Sequence, residues 1–135
     1  MKCVAIKDVK EFEIKDIPQP SVDHENVVIE VKKCGICGSD IHYWMAGEPK
    51  GLVMGHEFSG IVKDPGTRTD LKVGDRVTGL PISPYGNCEA CLSGNPQYCP
   101  STWTYAVGLS LTNPGALAKE TKVRPDMIMK LPDSV

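Results

Sequence analysis

The chain has 135 residues, 41% apolar and 24% charged, with a formal net charge of −2. That length suits one domain with a core of its own, and the charge balance speaks against a nucleic-acid surface. No apolar run approaches the roughly 18 residues of a membrane span, and the closely spaced charges of "MKCVAIKDVKEFEIKD" exclude a signal peptide.

In chain order, "KCVAIKDV", "EFEIKDI" and "NVVIEVKK" read as strands, the last as a half-buried one through Val27, Ile29 and Val31. "SDIHYWMAG" follows as a helix, with Ser39 as N-cap and Gly47 as its stop. "FSGIVKD" and "DRVTGL" are further strands, "GNCEACLSGNPQYCPS" is a loop-rich excursion, and "LAKETKV" is a last strand. Thirteen glycines and eleven prolines keep all of these short. The expected fold is a mainly β, barrel-like single domain over residues 1–135, with a short helix and a cysteine-rich lobe at 85–99.

Six cysteines in a chain with no secretory signal point to the reducing cytoplasm. There they serve as metal ligands, reactive thiols or core residues rather than disulfides. "KKCGICGSDIHYW" admits three readings at this level. Cys34 and Cys37 with Cys88 and Cys91 form two C-x-x-C pairs, but 50 residues separate them, against roughly 15–20 in a compact zinc ribbon. A redox dithiol fits the local strand-to-helix junction, yet the surrounding βαβ alternation is absent. The third reading joins Cys37 to "MGHEFSG", where His56 and Glu57 sit between Gly55 and Gly60. Cysteine, histidine and carboxylate with one open position is the pattern of a catalytic zinc. Cys34 and Cys3 would then be core residues.

"CGICGSDIHYW", "GHEFSGIV", "VGDRV" and "CEACLSGNPQYC", in that order, together resemble the N-terminal GroES-like catalytic domain of zinc-dependent medium-chain alcohol and polyol dehydrogenases. The sorbitol and threonine dehydrogenase branches are the nearest in wording. The resemblance runs the length of the chain. It implies a partly open GroES-like β-barrel and a catalytic zinc held by Cys37, His56 and Glu57. It also implies hydride transfer from a small alcohol or polyol to NAD or NADP. Ser39 would accept the substrate proton and His42, three residues along the same helix face, would pass it to solvent. Asp40 would hold the other nitrogen of His56, and Tyr43 and Trp44 either wall the substrate pocket or pack on the barrel. The full-length enzyme is expected to be a cytoplasmic homo-oligomer.

The chain also departs from that family. The lobe pattern C-x2-C-x2-C-x7-C has Tyr85 in its first place, leaving Cys88, Cys91 and Cys99. A phenol with pKa about 10 is a poor zinc ligand, so the structural zinc is expected to be lost, the alternative being a weaker fourth ligand. No G-x-G-x-x-G occurs, so no residue here binds the cofactor. The chain is expected to stop just before a missing nucleotide-binding domain, and the fragment alone to be inactive. A non-enzymatic GroES-like zinc-binding module is the alternative function. A zinc-free quinone reductase is a third, and neither of these needs Cys37, His56 and Glu57 together.

Overall fold

In the computed structural model, which describes residues 1–135, the chain opens with an antiparallel hairpin of β1 (Lys2–Asp8) and β2 (Glu11–Asp16). A second, five-stranded antiparallel sheet follows. Its strands are β3 (Val27–Cys34), β4 (Phe58–Asp64), β5 (Arg76–Gly79), β6 (Glu120–Val123) and β7 (Ile128–Lys130), in the order β6-β3-β4-β5-β7. Val27, Ile29, Phe58, Val62, Val77, Val107, Val123 and Ile128 form its core.

The hairpin is stitched to the segments that lead into β4 and β6 of the larger sheet. The Val4 N–H donates to the Leu117 carbonyl at 2.8 Å and the Ile6 N–H to the Leu52 carbonyl at 2.9 Å. Bridges Cys3–Ala118 and Ala5–Val53 continue the contact. The two sheets therefore curl into the partly open barrel of a GroES-like fold. Cys3 and Ala5 pack with Val53, while Ile6, Leu52 and Met54 form a third cluster. Cys3 is a core thiol, and burial pushes its pKa up.

Several local expectations need correction. Val27, Val28 and Ile29 are all buried, while Val31 is only half-buried. β3 lies between β6 and β4, and its pairing shifts between Val28 and Ile29 and again between Val31 and Lys33. Bulges of this kind bend a strand and break strict alternation. The last predicted strand is shorter, because Ala118 bridges to β1 before β6 begins at Glu120. β7, between a 3-10 turn at Pro125–Met127 and Pro132, was not foreseen.

Helix α1 (Gly38–Ala46) starts earlier than expected, with Cys37 rather than Ser39 as its N-cap. The reason is Asp40, whose Oδ2 accepts the Cys37 N–H at 2.9 Å and so closes the first turn from inside. Gly47 ends the helix as read. Its φ of 71° is left-handed, and its N–H returns to the Tyr43 carbonyl at 2.8 Å.

The lobe leaves and rejoins the barrel through a closed neck. Val107 donates its N–H to the Pro81 carbonyl at 2.8 Å, and Ser83 donates to the Thr102 carbonyl at 3.0 Å. Within the lobe, α2 (Glu89–Leu92) and a 3-10 turn at Pro96–Tyr98 are the only regular elements. No helix in the chain is long and apolar enough to cross a membrane.

Candidate metal centre

Antiparallel pairing of β3 with β4 explains how residues distant in sequence converge. Cys34, the last residue of β3, is opposite Phe58, the first of β4. The chain just after Cys34 and the chain just before Phe58 must then run side by side. Gly35 confirms the contact by donating its N–H to the Glu57 carbonyl at 2.6 Å. Cys37 follows on one side, and His56 and Glu57 lie on the other. One ligand atom from each of the three falls within 4.8 Å of the other two.

Gly55 sets the approach of His56. Its φ is 98°, and a Cβ there would meet the Leu117 nitrogen at 2.6 Å and Cys34 Sγ at 2.7 Å. Only glycine takes that backbone angle and that closeness without displacement. The Gly55 carbonyl accepts the Ala116 N–H at 2.7 Å, which fixes the segment from the far side.

The surroundings of His56 suit a metal-ligating imidazole. Its side chain is 9% exposed, and its Nδ1 stands 3.5 Å from Asp40 Oδ1, itself buried. Neither atom has a hydrogen-bond partner elsewhere. A neutral ring with its Nδ1 proton toward Asp40 leaves the Nε2 lone pair free for a metal. Nε2 also lies 3.3 Å from Ser39 Oγ. His56 and Glu57 line an open cleft of about 530 Å³ together with Lys33, Ser59 and Thr78. Glu57 is exposed and Cys37 half-buried.

Among the remaining candidates, His42 is exposed on α1 and has no hydrogen bond to Ser39 or His56. Tyr43 and Trp44 pack against the Ile6, Leu52 and Met54 cluster, and Trp44 stacks on Phe12 at 6.1 Å, so neither walls the cleft. Cys34 packs against the main core, and its thiol pKa is pushed up by burial first and by the nearby Asp40 and Glu57 charges second. Sequence reasoning passed over Gly35, where a Cβ would stand 2.9 Å from Glu57 Oε2. A glycine inside a C-x-x-C was the available signal.

The lobe gathers a second cluster. Cys88, Cys91 and Cys99 also place their sulfurs within 4.8 Å of one another. Cys88 Sγ donates to Cys91 Sγ at 3.4 Å. The Tyr85 N–H donates to Cys99 Sγ at 3.2 Å, and the Gly86 N–H to Cys91 Sγ at 3.3 Å. The Tyr85 N–H is the main cause that lowers the Cys99 pKa to about 6, whereas loss of solvent pushes Cys91 up. Tyr85 itself is 61% exposed, and no histidine, fourth cysteine or carboxylate joins the group. Three thiols and a solvent-facing phenol do not furnish the closed tetrahedron of a structural zinc.

Comparison with known proteins shows the family of the fold. Residues 23–133 match the alcohol dehydrogenase GroES-like domain family. The chain is 36% identical to the sorbitol dehydrogenase of Bacillus subtilis, over 100% of its own length and 39% of that protein. In structure it resembles the alcohol dehydrogenase TADH from Thermus sp. ATN1, with a TM-score of 0.86 and 29% identity, over 98% of this chain and 40% of the other. A short chain alcohol dehydrogenase from Escherichia coli CFT073, complexed with the cofactor NADH, gives a TM-score of 0.82 at 28% identity, over 100% of this chain and 39% of that one. The chain thus spans about two fifths of these relatives.

Proposed function

The chain belongs to the alcohol dehydrogenase GroES-like domain family, and on that premise we propose that it is the zinc- and substrate-binding part of a dehydrogenase acting on a small alcohol or polyol. The observation that carries the reading is the convergence of Cys37, His56 and Glu57 on one point beside an open cleft. A non-enzymatic GroES-like module has no need of that convergence.

Cys37, His56 and Glu57 would hold the metal. Zinc at such a site supplies Lewis acidity toward an alcohol oxygen. Asp40, whose Oδ1 is 3.5 Å from His56 Nδ1, would keep the imidazole in one orientation by accepting a hydrogen bond from its Nδ1–H. Ser39, within 3.3 Å of His56 Nε2, receives the proton of the substrate hydroxyl, and His42 carries it toward solvent. A nicotinamide cofactor, where bound, would supply the hydride acceptor that turns the alcohol into a carbonyl compound. We assign the cofactor, NAD or NADP, to a nucleotide-binding domain outside residues 1–135, because no G-x-G-x-x-G lies within them. A cytoplasmic, homo-oligomeric whole enzyme is part of the same reading. The fragment alone is then inactive.

Metal analysis after dialysis tests the assignment. The chain should retain close to one zinc, and Cys37→Ala should retain almost none. Equal zinc in the two proteins overturns Cys37 as a ligand. In the whole enzyme, Cys37→Ala abolishes polyol oxidation and Cys34→Ala leaves most of it.

A further inference from the structure

The sulfurs of Cys88 and Cys91 lie 3.4 Å apart. Cys88 caps α2 and Cys91 sits in its first turn, so one turn of backbone already puts both side chains on the same side. A disulfide needs about 2.05 Å between sulfurs. Cys88 and Cys91 are half-buried and thus reachable by a small molecule, while Cys99 is 3% exposed and is not. The Gly86 N–H is aimed at Cys91 Sγ at 3.3 Å and partly offsets the loss of solvent that pushes this thiol up. The other C-x-x-C of the chain shows the contrast. Cys34 Sγ turns to the core beside Gly55 and donates to the Gly35 carbonyl at 3.4 Å, with no hydrogen bond to Cys37.

We propose that the lobe is a reversible dithiol site, in which Cys88 and Cys91 close a disulfide by exchange with a low-molecular-weight disulfide. The absence of a fourth metal ligand leaves these thiols without the coordination that would hold them reduced and protected. The thiolate of one cysteine attacks a sulfur of the small disulfide, forming a mixed disulfide and releasing one small thiolate. The second cysteine gives up its proton to that thiolate and attacks the mixed bond at the protein sulfur; the second small thiolate leaves and takes up from water the proton that the first cysteine had lost to it. Two protein thiols are oxidised to one disulfide, and one small disulfide is reduced to two thiols.

The test uses the whole chain, reduced and freed of metal, incubated with oxidised glutathione over a range of ratios to reduced glutathione. Thiol counting should show a loss of two thiols per chain, and peptide mass mapping should place the bond between Cys88 and Cys91. Dithiothreitol should restore both. Cys88→Ser and Cys91→Ser should each lose the two-thiol step and accumulate a single glutathione adduct on the remaining cysteine. Wild-type mapping decides the matter even where a variant folds poorly. The proposal is overturned if Cys88 and Cys91 stay free while Cys37 is glutathionylated, or if the bond maps to Cys34 and Cys37. It is equally overturned if one added equivalent of zinc is retained by wild type through dialysis, is lost in Cys91→Ser, and prevents the oxidation, since the lobe is then a metal site.

Discussion

The chain carries two cysteine centres of unequal support. Each brings three potential ligand atoms within 4.8 Å of one another, and each includes a C-x-x-C at the start of a short helix. At the first centre only Cys37 of the pair takes part, and its companions come from the segment that leads into the opposite strand. Paired β-strands, a left-handed Gly55 and the buried Asp40 hold them from three sides. At the second centre both cysteines take part, and the third ligand is eight residues on, at Cys99. Its scaffold is local, made of one turn of α2, a 3-10 turn and two backbone N–H groups aimed at sulfur. The lesson is that spacing identifies neither centre. A mixed Cys, His and carboxylate set fixed by the barrel is suited to bind a metal and leave a place for substrate. An all-thiol set with one member absent is suited to exchange chemistry.

The sharpest way to break this contrast is His56→Ala. It should empty the first centre, so that bound zinc falls from near one per chain to near none, while thiol exchange in the lobe is unchanged. Loss of both behaviours together would mean that the centres are one folding unit and not two. Next in size, Tyr85→Cys should convert the lobe into the kind of site it now lacks. Zinc content should rise by close to one, with a higher melting temperature that a chelator removes, because structural zinc contributes folding free energy directly. A wild-type lobe that already holds zinc as tightly would erase the distinction.

Asp40→Asn is a smaller perturbation confined to the first centre. Replacing the partner of a ligating histidine typically weakens metal binding about 10- to 100-fold, and a zinc competition assay should show a loss in that range. An amide still accepts the Cys37 N–H, so the melting temperature should change little. Cys34→Ala should cost about 1 kcal/mol of stability through lost core packing, read by denaturant unfolding, with zinc content intact. Smallest is a titration in the lobe. With its pKa lowered to about 6, Cys99 should show thiolate absorbance rising through that pH, and Cys99→Ser should abolish the rise. Because the folded pKa is the depressed one, the stabilisation belongs to the thiolate. It is complete above the ordinary thiol range and disappears as pH falls toward 6. A chain whose thiolate signal appears only above pH 8 contradicts the Tyr85 hydrogen bond as its cause.

Much of this was legible in the chain itself. The strands around "NVVIEVKK" and "FSGIVKD" were visible because β-branched runs bounded by glycine, proline and aspartate have few other solutions. The grouping of Cys37 with His56 and Glu57 was legible through motif order, and the missing lobe ligand through the residue at 85. What escaped was set by contacts distant in sequence. Ser39 resembles an N-cap, but Asp40 reaches back to Cys37 and moves the helix start. Val28 belongs to the outward face by alternation, yet a bulge and neighbours on both sides bury it. Three residues were too few for β7 to declare itself beside two prolines. Gly35 has no pattern of its own, and its importance depends on a carboxylate that arrives from the segment just before β4.

The hydrogen bond from Val107 to Pro81, at 2.8 Å, makes the lobe a tethered insertion. The two ends of the excursion meet before either reaches the sheet, so its interior can drift in sequence without transmitting that change to β4 or β5. A residue such as Tyr85 can replace a cysteine there while the barrel stays intact. Such a junction lets the lobe vary apart from the strands that position the first centre.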